Sequence, residues 1–234
     1  MKKYEFTGET LVYRGRTLRR IKRLSDGLVG GWIEKEENLS HYGNCFIYDD
    51  AKVFDDAMVY DDAWVYDNAK VSGNAWIYGN AEVFDNAKVS GNAWVYGNAE
   101  VFDNAEVSGN VIVCDNAEVY GDAEVYGNVI VCDNAEVFDN AEVYGDAKVY
   151  GDARINKGNI IGEVQIPFKK VETYQSYNTR QVTAIKTLDD KWVFNVGCQK
   201  LIDKDTFLDR IYNTDGGLEE NPHREFYLRM LKMF

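Results

Sequence analysis

The chain has 234 residues, 45% of them apolar, and a formal net charge of −13. The apolar share sets it apart from disordered chains. The acidity argues against nucleic acid or an anionic membrane as partner, because both are held by Lys and Arg. That charge is uneven: residues 1–44 hold 9 Lys/Arg against 6 Asp/Glu, residues 45–158 hold 6 against 22, and residues 159–234 hold 11 of each.

The opening Met1-Lys2-Lys3-Tyr4-Glu5-Phe6 leads into polar sequence without the apolar stretch of a signal peptide. No apolar run reaches the roughly 20 residues of a membrane span. Four cysteines at irregular sites form neither a disulfide framework nor a Cys-x-x-Cys metal motif. A cytoplasmic protein with reduced thiols is therefore expected. Residues 4–24 read as one or two β-hairpins, with turns near Gly8 and Gly15, and residues 1–44 as a β cap for the element that follows. The basic run Arg14, Arg16, Arg19, Arg20, Lys22 and Arg23 reads as a solvated or rod-facing strand, with phosphate contact as the alternative.

From Cys45 to about Gly158, nineteen six-residue units follow without a break, as in Ala93-Trp94-Val95-Tyr96-Gly97-Asn98. The first residue is nearly always Ala and the third Val or Ile; strand alternation puts both on one side and residues two and four on the other. Gly or Asp, then Asn or Asp, close each unit, and these are turn residues that tolerate positive φ. A longer period lies above the short one: Lys70–Ala87 recurs at Lys88–Ala105 with one change, Ile77 to Val95. The repeat is thus 18 residues, three units per turn, which predicts a triangular coil. About six coils at ~4.8 Å give a prism roughly 30 Å long over residues 45–164, with Ala and Val/Ile inside and Asn/Asp ladders at the corners.

After Gly158 the period fails, and residues 165–234 read as a small α+β module. Gln181–Thr187 and Lys191–Val196 are predicted strands joined at Leu188-Asp189-Asp190. Asp205 is placed to cap a helix over Phe207–Tyr212 that Gly216-Gly217 ends. Asn221-Pro222 opens a last helix, with Phe226, Leu228, Leu231 and Phe234 among its apolar residues.

The unit Val-x-x-x-Ala-x resembles the hexapeptide repeat of left-handed parallel β-helix proteins, and that resemblance implies the handedness, against the usual right-handed crossover. Gly30-Gly31-Trp32-Ile33-Glu34, then Glu37-Asn38-Leu39-Ser40 and the first repeats, resemble the start of YdcK-like hexapeptide-repeat proteins of bacteria, phages and prophages. Val196-Gly197-Cys198, Thr206-Phe207-Leu208 and a final Tyr-containing helix are similar to that group's C-terminal module. The group implies no settled activity.

Hexapeptide acyltransferases, which share the repeat, imply a catalytic His as general base and a loop thrown out from a coil. This rod has no His from Ile47 to Gly158; His41 and His223 flank it and are the candidate bases of a transferase reading. The related β-helix carbonic anhydrases imply three His ligands to zinc, which the 2 His of this chain cannot supply. Ice binding calls for an outward Thr grid, and the units contain no Thr. Asp49–Asp50, Asp55–Asp56 and Asp61–Asp62 read as corner turns rather than Ca²⁺ ligands, lacking the glycine pattern of calcium-binding β-rolls. Cys114 and Cys132, one coil apart, lie within Cα range of a disulfide but read as free thiols. No metal or cofactor is expected.

Sorted by side of the triangle, the outward residues separate. One side carries Met58, Trp76, Trp94, Ile112 and Ile130, beside Tyr60, Tyr78, Tyr96, Cys114 and Cys132, without a charge among them. A second stacks Glu82, Glu100, Glu118 and Glu136 beside Phe84, Phe102, Tyr120 and Phe138. The third begins Lys52, Lys70, Lys88 and turns to Glu106, Glu124, Glu142. The uncharged side exceeds what a soluble monomer usually exposes. Self-association, a trimer of parallel prisms, is the expected cover, with the chain's own C-terminal module or an unidentified protein partner as alternatives. The glutamate ladder reads as a solvated face, or as an acidic surface that mimics DNA or engages a basic protein. The expected function is a non-enzymatic scaffold presenting end modules and an acidic surface; the alternatives are a transferase with a site between subunits and an acidic decoy of phage origin.

Overall fold

A computed structural model describes residues 2–151, 153–161, 168–175, 181–187, 191–196, 199–213 and 224–232. Each unit folds as its side-chain sizes require. The inward first and third residues, such as Ala93 and Val95, are fully buried along the whole rod. Only a small and a medium apolar side chain fit the narrow triangular interior, so Ala and Val alternate and close packing leaves little room for either to grow. The result is a left-handed parallel β-solenoid of about 7 turns. Coils are joined in register: Met58 pairs with Trp76, Trp76 with Trp94, Trp94 with Ile112, and Ile112 with Ile130.

The sequence predicts about six coils, and about 7 form because the winding starts before the legible repeat. Strand β3 (Val29–Ile33) already pairs in parallel with Lys52–Val53, and Leu39 bridges Val59. Between them a 3₁₀ turn, Glu36–Asn38, replaces the usual corner. Asn38, fully buried, holds this turn: its Oδ1 accepts from the N–H groups of Glu34 (3.2 Å) and Lys35 (2.9 Å). Its Nδ2 donates to the carbonyls of Asp55 (3.1 Å) and Ala57 (2.8 Å) in the next coil.

The regular corners work differently. Their fifth residue has positive φ, as at Asp85 (55°) and Gly91 (74°). Glycine takes that conformation freely. Aspartate is tolerated because its carboxylate gains a partner in the following coil: Gly121 N–H donates to Asp103 at 3.1 Å and Gly151 N–H to Asp133 at 2.8 Å. The sixth residue stacks as an amide ladder, Asn74 to Asn92 to Asn110 to Asn128, each Nδ2 donating to the next Oδ1 at 2.8–2.9 Å.

The N-terminal cap is the hairpin of β1 (Tyr4–Tyr13) and β2 (Arg16–Arg23), and β2 pairs antiparallel in turn with β3. Arg14 (φ 50°) and Gly15 (φ 79°) make a two-residue turn with both central φ values positive, the pattern of a type I′ hairpin. The turn predicted near Gly8 is instead a bulge: the register shifts between Phe6 and Thr10 while the strand runs on. Fully buried Tyr4 plugs the open coil, its hydroxyl 3.0 Å from the Leu39 carbonyl, and Lys3 Nζ donates to the Cys45 carbonyl at 2.6 Å. Arg16, Arg20 and Arg23 of the basic run face the rod, while Arg19 is exposed over Phe6 and Lys22 pairs with Glu5 of β1. Arg20 lies over Trp32 and Arg23 over Phe46, each 5.0 Å from the ring centre, and Arg16 lies 5.7 Å over Phe54. These cation–π contacts, about 0.5–2 kcal/mol each, dock the hairpin on the first coils.

At the other end, Phe168–Gln175, Gln181–Thr187, Trp192–Val196 and Gln199–Asp203 form an antiparallel sheet. The first and last of these strands were not read from the sequence. Helices α1 (Lys204–Asn213) and α2 (Arg224–Leu231) supply Phe207, Ile211, Tyr227, Met230 and Leu231 to a core with Ala184 and Phe194. The cap of α1 is Asp203, whose Oδ1 accepts from Thr206 N–H at 2.6 Å. Asp205, predicted for that role, stands inside the first turn, because the helix starts three residues before Phe207. Leu188-Asp189-Asp190, Gly197-Cys198, Gly216-Gly217, Asn221-Pro222, His223 and the side chains of Phe226 and Phe234 lie outside the described residues.

Candidate functional site

Parallel register turns each outward position into a column, so the sides can be read directly. On the first side Met58, Trp76 and Trp94 are 39%, 38% and 41% exposed, and the two indoles stack at 5.5 Å. Ile112 and Ile130 continue the column, half-buried, and Lys148 ends it with a charge on the sixth rung. Beside it Tyr60, Tyr78 and Tyr96 stack at 4.9 and 4.8 Å, all half-buried. Cys132 is half-buried too, but Cys114 is only 6% exposed, so it lies beneath this side rather than on it. A thiol is too short to rise level with the ring of Tyr96, its neighbour in the column.

Cys114 and Cys132 are free thiols in the structure, and their sulfurs and an Asp115 oxygen lie within 4.8 Å of one another. Burial, before any other cause, pushes the Cys114 thiol up to about 12 and raises Cys132 as well. The thiolate needed for exchange or metal binding is therefore disfavoured at neutral pH.

On the second side Glu82, Glu100, Glu118 and Glu136 pair in register, flanked by a continuous ring stack from Tyr66 to Phe138 at 4.8–5.0 Å. The ladder is tied down at both ends. Tyr66 donates to Glu82 at 2.7 Å, Tyr120 donates to Glu136 at 2.8 Å, and Arg154 pairs with Glu136. In the middle, burial and then the charges of Glu118 and Glu82 hold the Glu100 carboxyl above its ordinary range. Directly before Glu82 the column carries Trp64, 41% exposed, and before that the fully buried Phe46. Trp64 is not among the site residues expected from the sequence; its signal is an exposed Trp in a column that is charged from Glu82 to Arg154.

His41 is packed rather than poised. Its ring stacks on Tyr4 at 4.4 Å and its Nδ1 accepts the Lys3 N–H at 3.2 Å. Burial holds its pKa below the ordinary 6.5, so the folded cap favours neutral imidazole. The cap is accordingly expected to be stable above about pH 6.5 and to loosen as pH falls below it, when a proton on Nδ1 displaces the Lys3 bond. Amide exchange at Lys3 and Tyr4 between about pH 7.5 and 5 checks this. Exchange that does not speed up beyond its intrinsic pH trend, or a trend that survives His41→Gln, would refute it.

No helix among the described residues is long and apolar enough to cross a membrane. No protein-family model matches the chain, and no curated protein matches it. The geometry itself defines the class: a parallel β-solenoid with the stacked Asn ladders typical of hexapeptide repeats.

Proposed function

We propose that this chain is a non-enzymatic structural scaffold that self-associates, as a trimer of parallel prisms, through the Met58, Trp76, Trp94, Ile112 and Ile130 side. Its end modules and glutamate side then remain free to meet a partner. The carrying observation is a stack of two Trp and one Met, each more than a third exposed, with no charge between Met58 and Ile130. Each such indole covers a large apolar area, and aromatic anchors of this kind dominate the energetics of protein interfaces. The resemblance of Gly30–Glu34 and the first repeats to YdcK-like proteins of bacterial and phage type belongs to the same proposal. Cytoplasmic residence, inferred from the reduced thiols, does too.

Absolute mass by light scattering, in reductant and at low protein concentration, tests the reading. The expected mass is about three times 26.7 kDa. Trp76→Lys with Trp94→Lys is expected to return it to the single-chain value while the far-ultraviolet spectrum stays unchanged. A wild-type chain that stays at 26.7 kDa at every concentration tested would overturn self-association.

A further inference from the structure

The first half of the third side, at Lys52, Lys70 and Lys88, departs from the acidic surface around it. The outer column of this side runs Phe54, Ser72, Ser90, Ser108, Tyr126, Tyr144, with Ser108 paired to Tyr126 and Tyr126 to Tyr144. Where the rings give way to hydroxymethyl groups, a trough opens across three coils and encloses about 210 Å³. Phe54 closes one end, covered by Tyr13 at 5.6 Å, and Arg14 reaches the trough from the hairpin turn.

The trough is cationic on balance in a chain of net charge −13, with Arg14, Lys70 and Lys88 against the one carboxylate of Glu106. Lys52, Lys70 and Lys88 stack on successive strands beside the serines. Lys52 is engaged, its Nζ donating to the Asp50 carbonyl at 2.7 Å, and Lys88 pairs with Glu106. Lys70 and Arg14 have no carboxylate partner among the described residues. Lys70 is half-buried between like charges: burial, then Lys52, Lys88 and Arg14, holds its pKa below the ordinary lysine value. The corner after the serines carries Gly73, Gly91 and Gly109, and the acid of that column, Asp55, is already engaged by Arg16 and by the Gly73 N–H. Arg14 is itself unusual. Every other non-glycine residue with positive φ among the described residues is an aspartate. An arginine at φ 50° costs conformational energy that Asn or Gly would avoid, and such strain is concentrated at functional sites.

We propose that this trough binds a small phosphate-bearing anion, whose charge Lys70 and Arg14 meet and whose oxygens accept from Ser72, Ser90 and Ser108. A volume below the roughly 300–1,000 Å³ of drug-sized ligand pockets favours a compact group. Donors come from the lysine column, the serine column and the hairpin turn, with successive strands ~4.8 Å apart along the prism. A tetrahedral oxyanion offers acceptors in all those directions, whereas a planar carboxylate offers two coplanar oxygens. The proposal is independent of the self-association reading, since the trough and the Trp stack lie on different sides.

Calorimetric titration of the full chain with inorganic pyrophosphate, at constant ionic strength, is the test, with citrate and sulfate as comparison ligands. Pyrophosphate is expected to bind at about millimolar Kd or tighter and ahead of citrate. Lys70→Gln is expected to weaken binding about tenfold, the effect of one charge-assisted contact. Ser90→Tyr fills the trough with the residue that the same column carries at 126 and 144, so it should fold and should abolish binding. Lys148→Gln, on the first side, should bind as wild type. Nuclear magnetic resonance of the Lys70 ammonium should show its pKa rising when pyrophosphate is added. No heat of binding at about ten times the expected Kd, wild-type affinity in both Lys70→Gln and Ser90→Tyr, or equal affinity for citrate would each overturn the proposal.

Discussion

Asn38→Ala is expected to cost about 4 kcal/mol, more than any single surface substitution in this chain. One fully buried amide makes four hydrogen bonds, two accepted and two donated. Alanine removes all four and leaves the N–H groups of Glu34 and Lys35 and the carbonyls of Asp55 and Ala57 without that partner. Each polar group so left in a dry site costs roughly 1–3 kcal/mol, moderated where water enters. In a solenoid each coil contacts only its neighbours, so the damage should stay local. Hydrogen exchange is the proper measurement: amides of Leu39, Ser40 and Asp56 should lose protection while Trp94 and Tyr96, bonded to the coil after them, keep theirs. Asn38→Asp should be no milder, because it buries a carboxylate oxygen against the Asp55 and Ala57 carbonyls. An Asn38→Ala chain with wild-type protection in the first coil would show that the turn is held by something else.

Gly31→Ala should be nearly as damaging, for a reason of space rather than hydrogen bonding. A Cβ on Gly31 would stand 2.6 Å from Ile47 Cγ2 and 2.7 Å from the Ala51 carbonyl oxygen; one on Gly30 would stand 2.5 Å from the Ile47 carbonyl oxygen. Backbone atoms cannot yield as a flexible side chain can. Strand β3 must therefore lift away, weakening the bonds from Trp32 N–H to the Ala51 carbonyl (2.9 Å) and from Glu34 N–H to the Val53 carbonyl (3.2 Å). Overpacking of this kind costs about 1–3 kcal/mol, and each weakened ladder bond adds about 1 kcal/mol. The sum, on the order of 3–5 kcal/mol, should appear as a lowered Tm and as proteolysis between the cap and the first coil. An unshifted Tm would mean that β3 is not what fixes the cap to the rod.

The Gly-Gly-Trp-Ile-Glu segment shows what the sequence could and could not reveal. Its composition marked it as special, but only the approach of Ile47 and Ala51 explains the glycines. Those residues are 16 and 20 positions further on. The regular rod was legible because every coil solves the same packing problem with the same side chains. Period, side assignment and ladder register all follow from an 18-residue count, and Trp76 stands on Trp94 as that count requires. The first coil was not legible, since Glu36–Asn38 and the Asn38 amide replace the repeat's corner with a single-use solution. Cys114 shows the limit of counting: register gives the direction of a side chain, while its exposure depends on how far its neighbours project. The trough had the same origin. Lys70 and the serine column could be assigned to one side, but Arg14 came to them only through the hairpin fold.

The amide ladders at the corners all point the same way. Within a run each Asn gives its Nδ2 to the residue 18 positions later, as from Asn74 to Asn128 and from Asn86 to Asn104, and these runs stop where an aspartate accepts and has nothing to give, at Asp146 and Asp122. A carboxylate is thus a full stop, and an asparagine is a comma. Within a run, one more coil adds one donor and one acceptor and leaves both ends as they were. The near-identity of Lys70–Ala87 and Lys88–Ala105 fits growth by such whole steps. Length in this molecule is a count, set in increments of about 4.8 Å, and the distance between its two ends is the quantity that the count controls.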